Sequence, residues 1–485
     1  MTDFDTYLDK IGEIGFVEEV MHSIVFASGL PKARPNEVVI FESGDIGEII
    51  SLNKENVEIL ILTSGNLKVG DKVARTDELL QVSVGDGCLG RAIDPLGRPL
   101  DTSKKLTNVF PKPIDTPPHG IIGRKQVEKP LETGVTLIDL VIPLAKGQRQ
   151  LVIGDRKTGK TEFLLQTLLS QARRGTICIY AVIGQRLLEI KKRQEFIEAN
   201  GIRDKCVVVA TSSFDPAGLI FLTPYTAMTI AEHFRDNGMD VLLILDEMTT
   251  HAKFYREISL LAKRFPGRNS YPGDVFYAHA RLIERAGNFK RGSISALPVA
   301  ESILGDISGY IQTNLMSMTD GHIFFDIDLY NEGKRPAVSP FLSVTRVGHQ
   351  AQTVLERDIS RNLSNFLVNY QKMKQFMHFG AEAGETVQKV ISLGRKIDIL
   401  FDQPGENIIE LNANILVVTG LWAGIWNQIE DSLMEKQIER VILNYQTDTR
   451  YKSEIDLLLA KVQSFSELVN LVRQTPEIIT GRFNT

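Results

Sequence analysis

The segment Gly154-Asp-Arg-Lys-Thr-Gly159-Lys160-Thr161 places two glycines five residues apart and follows the second with a lysine and a hydroxyl. An apolar run, Gln150-Leu-Val-Ile-Gly154, precedes it and a helical pattern from Phe163 to Arg173 follows. Glycines at those positions let the backbone turn tightly enough to aim successive N–H groups at phosphate oxygens, and a helix N-terminus adds its partial positive charge. Gly154, Asp155, Arg156, Lys157, Thr158, Gly159, Lys160, Thr161 and the adjoining Glu162 are therefore expected to cradle the phosphates of a nucleotide. In that arrangement Lys160 reaches the β- and γ-phosphates and the Thr161 hydroxyl ligates Mg²⁺. A second apolar run, Leu242-Leu-Ile-Leu-Asp246-Glu247, ends in carboxylates, where a magnesium-orienting Asp belongs, so Asp246 is expected on the metal side. A glycine-rich turn or a helix cap would explain either segment alone. Together they point to Mg-ATP or Mg-ADP.

Such a loop needs a rigid sheet beneath it, and the sequence shows three textures. Up to residue 84 a short leading helix is followed by alternating apolar runs, such as Val57, Ile59 and Ile61, separated by Gly and Asn turns. That spacing predicts a small β-barrel. Residues 85–352 alternate continuous apolar runs, among them Ile177–Val182, Val207–Ala210 and Val241–Leu245, with helical stretches. Runs of that kind suit strands buried on both faces of a parallel sheet, which makes this an α/β nucleotide-binding domain. Residues 353–485 are predicted to be helical. Leu355, Ile359, Leu363, Phe366, Tyr370, Met373 and Met377 form one stripe, and Ser453 is an expected N-cap for a helix over 455–472.

Composition narrows the class further. The protein has 485 residues, with 55 basic against 60 acidic side chains and a net charge of −5. Nucleic-acid binders usually carry an excess of Lys and Arg, so that class is disfavoured. Three cysteines, Cys88, Cys178 and Cys206, lie in apolar surroundings at no metal-ligand spacing and are expected as buried thiols. No secretory leader is evident, and the run Ile415–Trp426 is too short and glycine-broken to span a bilayer. Any link to a membrane is expected to run through partners.

With these residues placed, the sequence resembles the α-subunit family of rotary F-type ATP synthases over nearly its full length. The resemblance is carried by Val84-Gly-Asp-Gly-Cys-Leu-Gly-Arg-Ala-Ile-Asp-Pro-Leu-Gly-Arg-Pro-Leu-Asp101, Glu132-Thr-Gly-Val-Thr-Leu-Ile-Asp139, Gly147-Gln-Arg149 and Phe234-Arg-Asp-Asn-Gly238. Further matches are Pro266-Gly-Arg-Asn-Ser-Tyr-Pro-Gly-Asp-Val-Phe-Tyr277, Ala296-Leu-Pro298, Arg335-Pro-Ala337 and Leu342-Ser-Val-Thr-Arg-Val-Gly348. It implies a barrel, a RecA-like nucleotide domain and a helical domain. It also implies a ring alternating with catalytic β-type subunits around a γ-type shaft, coupled to a membrane rotor. The location implied is peripheral, on the cytoplasmic face of the cell membrane or an equivalent organelle membrane. About ten residues precede the barrel, where the family carries a longer helix for the peripheral stalk, so that contact is not implied.

Within this resemblance the type of subunit follows from chemistry. Hydrolysis needs a carboxylate to polarise the attacking water, and in the related β subunits a Glu follows a Gly after the second strand. Here Gly184-Gln185-Arg186 stands there, and a carboxamide cannot act as a base. The resemblance makes Arg346 an arginine finger reaching into a neighbouring catalytic site, sets Arg335 and Pro336 beside the adenine, and likens Gln403 to one of two glutamines lining that pocket. Departures from the family pattern are Lys157 for a usual Gln, Glu162 for a usual small hydroxyl residue, Gly405 for the second glutamine, Ser339, Thr345 and Glu247. Two other classes stay open: a catalytic RecA-like ATPase of a secretion or gliding machine using Glu247 as base, and a Rho-like nucleic-acid motor.

Overall fold

Six strands in residues 14–79 close on themselves in the order 14–21, 24–28, 57–61, 46–52, 37–41, 72–79. Alternate side chains of these strands (Val25, Val39, Phe41, Ile49, Ile59 and Val73) turn inward and are fully buried, which is the period-two burial a small barrel requires. Buried charges sit in this wall, among them Arg75 and Glu37. The Arg75 guanidinium donates to Glu37 at 3.0 and 3.1 Å and to Glu13 at 3.0 Å, so its burial is compensated by two carboxylates. The leading helix Asp3–Ile11 seats Phe4 against Ile40 and Ala74.

The computed structural model describes residues 3–102, 104–378, 384–403, 405 and 407–481. By contacts the protein forms two compact units, the first containing the segments up to Lys125, Ala172–Ser302 and Asp306–Thr319, the second Gln126–Gln171, Ile303–Gly305 and everything from Asp320 on.

In the first unit, beyond the barrel, five strands lie parallel in the order 293–301, 240–246, 177–185, 206–212, 92–93. Their central runs are buried on both faces, as the unbroken apolar sequences require. The helix Ala217–Asp236 packs across this sheet and approaches the barrel at Gly218, where a Cβ would come 2.6 Å from Ile61 O. Cys88, Cys178 and Cys206 are all buried and reduced.

In the second unit the strand Leu151–Gly154 runs parallel to Gly321–Phe325, and Val344–Thr345 pairs antiparallel with the latter. Gly154 passes so close to Phe325 that a Cβ would meet its carbonyl oxygen at 2.4 Å. From residue 354 on, the described residues form helices Val354–His378, Glu385–Phe401, Leu411–Ala423, Asp431–Thr447, Thr449–Lys461, Phe465–Gln474 and Glu477–Thr480. The stripe from Leu355 to Tyr370 does bury Leu355, Ile359, Leu363 and Tyr370; the side chain of Met377 lies outside the described residues. The expected cap at Ser453 is corrected. Asp448 caps one helix by accepting from Arg450 N and Tyr451 N, Ser464 caps the next by accepting from Glu467 N, and Ser453 lies inside the first, its hydroxyl donating to Thr449 O. The helix begins at Thr449, four residues before Ser453, so the orphan N–H groups lie beside Asp448 and not beside Ser453. Among the described residues no helix is long and apolar enough to cross a membrane.

Candidate nucleotide site

The phosphate loop belongs to the second unit and is held in a self-satisfied state by its own carbonyls. Lys160 Nζ donates to Gly154 O at 2.7 Å and Asp155 O at 2.6 Å, and Thr158 Oγ1 donates to Asp155 O at 2.8 Å. Two residues take left-handed backbone, Lys157 at φ 63° and Gly159 at φ 93°. This conformation turns consecutive N–H groups to one side, the concavity in which anions sit. A Cβ on Gly159 would project into open space, with Glu162 Oε2 at 3.8 Å among the described residues. The Asp155 carboxylate accepts the Gly305 N–H at 3.1 Å on both oxygens, beside the exposed Ile303 and Leu304. Thr158 is buried, Arg156, Lys157 and Glu162 are exposed, and Lys160 and Thr161 lie between.

Arg335, Pro336 and Gln403 are in the same unit and on one seam. Gln403 N donates to Arg335 O at 2.7 Å, and Arg335 N donates to Asp402 at 3.0 Å. The Arg335 guanidinium lies 3.7 Å from the Tyr330 ring centroid and donates to the carbonyls of Tyr330 and Lys334. The carboxamide of Gln403 is turned inward. Its Nε2 donates to Gly134 O and Asn407 O, and its Oε1 accepts from Thr136 N and Thr136 Oγ1. Buried and with both ends occupied, Gln403 acts through its backbone on the seam rather than as a free amide facing a ligand. The seam meets the phosphate loop at Gly405, where a Cβ would stand 3.4 Å from Glu162 Cβ and 3.7 Å from Cγ. A cavity of about 540 Å³ borders Arg335, Pro336, Tyr370, Lys374 and Asp398, but no phosphate-loop residue lines it.

Arg346 is exposed at the end of the strand Val344–Thr345 and carries no ion pair among the described residues. Its backbone is fixed: Arg346 N donates to Asp320 O at 2.9 Å, and Asp320 is clamped by Arg149. Thr345 Oγ1 donates to Pro143 O at 3.0 Å and accepts from Gln148 Nε2 at 3.1 Å.

Gln185 and Asp246 fall in the first unit. Asp246 Oδ2 accepts the Tyr180 hydroxyl at 2.8 Å, with Arg193 Nη2 at 3.7 Å, and its carbonyl accepts Gln185 Nε2 at 3.1 Å. Burial, and next the Asp246 charge, hold the Tyr180 phenol well above its usual range, so it stays a donor. Glu247 is buried, its Oε1 accepting Glu301 N at 3.0 Å and its Oε2 accepting Thr250 Oγ1 at 3.4 Å. Sequence reasoning had no signal for Tyr180 or Arg193, since neither belongs to a motif and each matters only through Asp246. Arg149 was visible in Gly147-Gln-Arg149, though not its partner Asp320.

A strand–loop–helix phosphate cradle, in a protein that also carries a parallel sheet, a barrel and a helical domain, defines a phosphate-loop nucleotide-binding protein of the RecA-like type. Residues 134–345 match the model of the ATP synthase alpha/beta family, nucleotide-binding domain, and residues 352–468 match that of the C-terminal domain of the ATP synthase alpha/beta chain. The sequence is 40% identical over 441 residues to ATP synthase subunit alpha of Neorickettsia sennetsu, covering 88% of this chain and 86% of that one. Against ATP synthase subunit alpha of Petrotoga mobilis the identity is 40% over 445 residues, covering 90% and 88%, and against that of Aquifex aeolicus 38% over 448 residues, covering 91% and 88%. The chain belongs to the ATP synthase alpha/beta family, and its likeness there is to alpha subunits.

Proposed function

We propose that the chain is the non-catalytic, α-type subunit of a rotary F-type ATP synthase, holding Mg-nucleotide and lending Arg346 to an adjoining β-type catalytic site. The observation that carries this is the end of the strand Ile177–Gln185, where catalysis needs a carboxylate and this protein has Gln185, its amide committed to Asp246 O at 3.1 Å. The one alternative base, Glu247, has its Oε1 taken by Glu301 N. A carboxylate oxygen already accepting a backbone N–H loses basicity toward water. The exposed guanidinium of Arg346, without an ion pair among the described residues and on a fixed backbone, supports the role in trans. Arginine spreads charge over transferring phosphoryl oxygens in a way lysine cannot.

Mg²⁺ fits the residues present. Thr161 Oγ1 makes no hydrogen bond among the described residues, and a hydroxyl is a hard oxygen donor of the kind that suits that ion. When bound, the ion would supply positive charge that neutralises phosphate oxygens. Catalytic β-type chains, a γ-type shaft and, through it, a membrane rotor complete the reading, with this chain peripheral to the membrane. Purified alone, the protein is expected to bind Mg-ATP without turning it over, and turnover should appear on assembly with β-type chains. Hydrolysis by the isolated protein, lost on Glu247→Gln, would instead make it a catalytic ATPase in its own right.

A further inference from the structure

Glu162 stands two residues beyond Lys160, in the first turn of the helix Lys160–Arg173. Its stem rests on Gly405, 3.4 Å from where a Cβ there would lie, and its Oε2 reaches back to within 3.8 Å of a Cβ on Gly159. It therefore bridges the two walls of the nucleotide seam at the phosphate loop. Among the described residues no ion pair or hydrogen bond neutralises its carboxylate.

A helix N-terminus stabilises one anion. It presents unsatisfied N–H groups and a partial positive charge, and a carboxylate in the first turn gains from that field. Phosphates held by Gly159 and Lys160 would draw on the same field. Bringing them in sets like charges side by side and cancels part of the gain of each. Lys157 stands on a left-handed backbone and is exposed to solvent, where screening weakens any compensation.

We propose that Glu162 is a built-in competitor for the phosphate site: its carboxylate stabilises the nucleotide-free protein and sets the affinity for Mg-nucleotide below what the loop would otherwise reach. This rests on the nucleotide-binding reading of the loop and assigns this site an affinity-setting residue. It implies that bound nucleotide exchanges more readily here than the phosphate-loop motif alone would suggest.

The test compares the full-length wild-type protein with Glu162→Gln, measuring Mg-ATP and Mg-ADP binding by calorimetry at low and high salt, and the melting temperature with and without nucleotide. The variant is expected to bind both nucleotides about three- to tenfold more tightly at low salt, with the gain shrinking as salt rises. It should melt slightly lower than wild type when free of nucleotide, yet be stabilised more on binding. Glu162→Asp, which keeps the charge and withdraws it, should lie between the two. A merely structural role would lower both melting temperatures and leave affinity unchanged, and that result, or weaker binding by the variant, overturns the proposal. If neither protein binds Mg-nucleotide, the nucleotide reading fails first.

Discussion

Asp320 grips Arg149 at two points, Nε to Oδ2 at 3.1 Å and Nη2 to Oδ1 at 2.9 Å, and offers its carbonyl to the Arg346 N–H at 2.9 Å. Bidentate pairing of this kind fixes orientation as well as distance. If Arg346 acts in trans as proposed, such a rigid base would hold it against a developing charge, because misplacement is costly in catalysis.

Arg346→Ala in the assembled complex should therefore lower multi-site turnover by about 10³-fold or more. Asp320→Asn should lower it by roughly 10- to 100-fold, since the finger remains but its base loosens. Nucleotide binding by the isolated variants, read by calorimetry, should stay near wild type. Unchanged turnover in Arg346→Ala would remove the finger assignment, and unchanged turnover in Asp320→Asn would remove only the anchor.

On the proposed reading, Lys160 would exchange the carbonyls of Gly154 and Asp155 for phosphate oxygens, trading neutral acceptors for charged ones. Charge-assisted bonds are worth about 1.5–3 kcal/mol, so Lys160→Gln should weaken Mg-ATP binding by roughly 10- to 150-fold. Equilibrium dialysis would read this directly, and a change under about twofold would place the lysine outside the site.

His251 and His279 form a buried pair 3.0 Å apart. His251 Nε2 faces Phe221 O, which can only accept, so with both rings neutral His279 Nε2 donates to His251 Nδ1. His279 Nδ1 is left as an acceptor without a partner among the described residues. Burial pushes His251 down to about 4 and His279 well below its ordinary value, the latter with help from its neighbour. The folded protein then lacks protons that the unfolded one takes up near pH 6.5. Stability should be level above that pH and fall as pH drops from about 6.5 toward 4, by up to about 1.4 kcal/mol per pH unit for each ring. His279→Gln, which keeps a donor and does not titrate, should flatten the pH dependence of the urea midpoint; a slope equal to wild type would exclude His279 as its source.

The helices Val354–His378 and Glu385–Phe401 cross at Gly394, where a Cβ would lie 2.2–2.5 Å from the Tyr370 ring. Neither backbone can yield without disturbing the Tyr370 hydroxyl, which donates to Asp398 at 3.1 Å. Gly394→Ala should cost about 1–3 kcal/mol by overpacking, seen as a lower melting temperature. A neutral effect would mean that the crossing is softer than this contact implies.

The barrel, the parallel sheet and the phosphate loop were legible because each imprints a short-range pattern: alternation, continuous apolar runs, and glycines at set spacing. The apolar run Ile415–Trp426 begins inside the buried helix Leu411–Ala423, which lies between Glu410 at its start and Gly424, left-handed at φ 85°, at its end. Less legible were features decided by geometry between distant segments. Ser453 matches a capping pattern as well as Asp448 does, and only the course of the backbone decides between them. Gln403 has the residue type of a base-reading amide, but its carboxamide is spent on Gly134, Thr136 and Asn407, the first two of them far away in sequence. The role of Asp320 is invisible in sequence because its partners, Arg149 and Arg346, are joined only by folding.

The twin bonds from Gly305 N to the two oxygens of Asp155 couple a bare surface loop to the floor of the cradle. Ile303 and Leu304, at 74% and 91% exposure, form the handle of that coupling. Anything that presses the handle aside forces Asp155 either to follow, dragging the carbonyl that holds the Lys160 ammonium, or to release both bonds at once. Mechanical load on one small turn is thereby converted into a change in how firmly the lysine is parked.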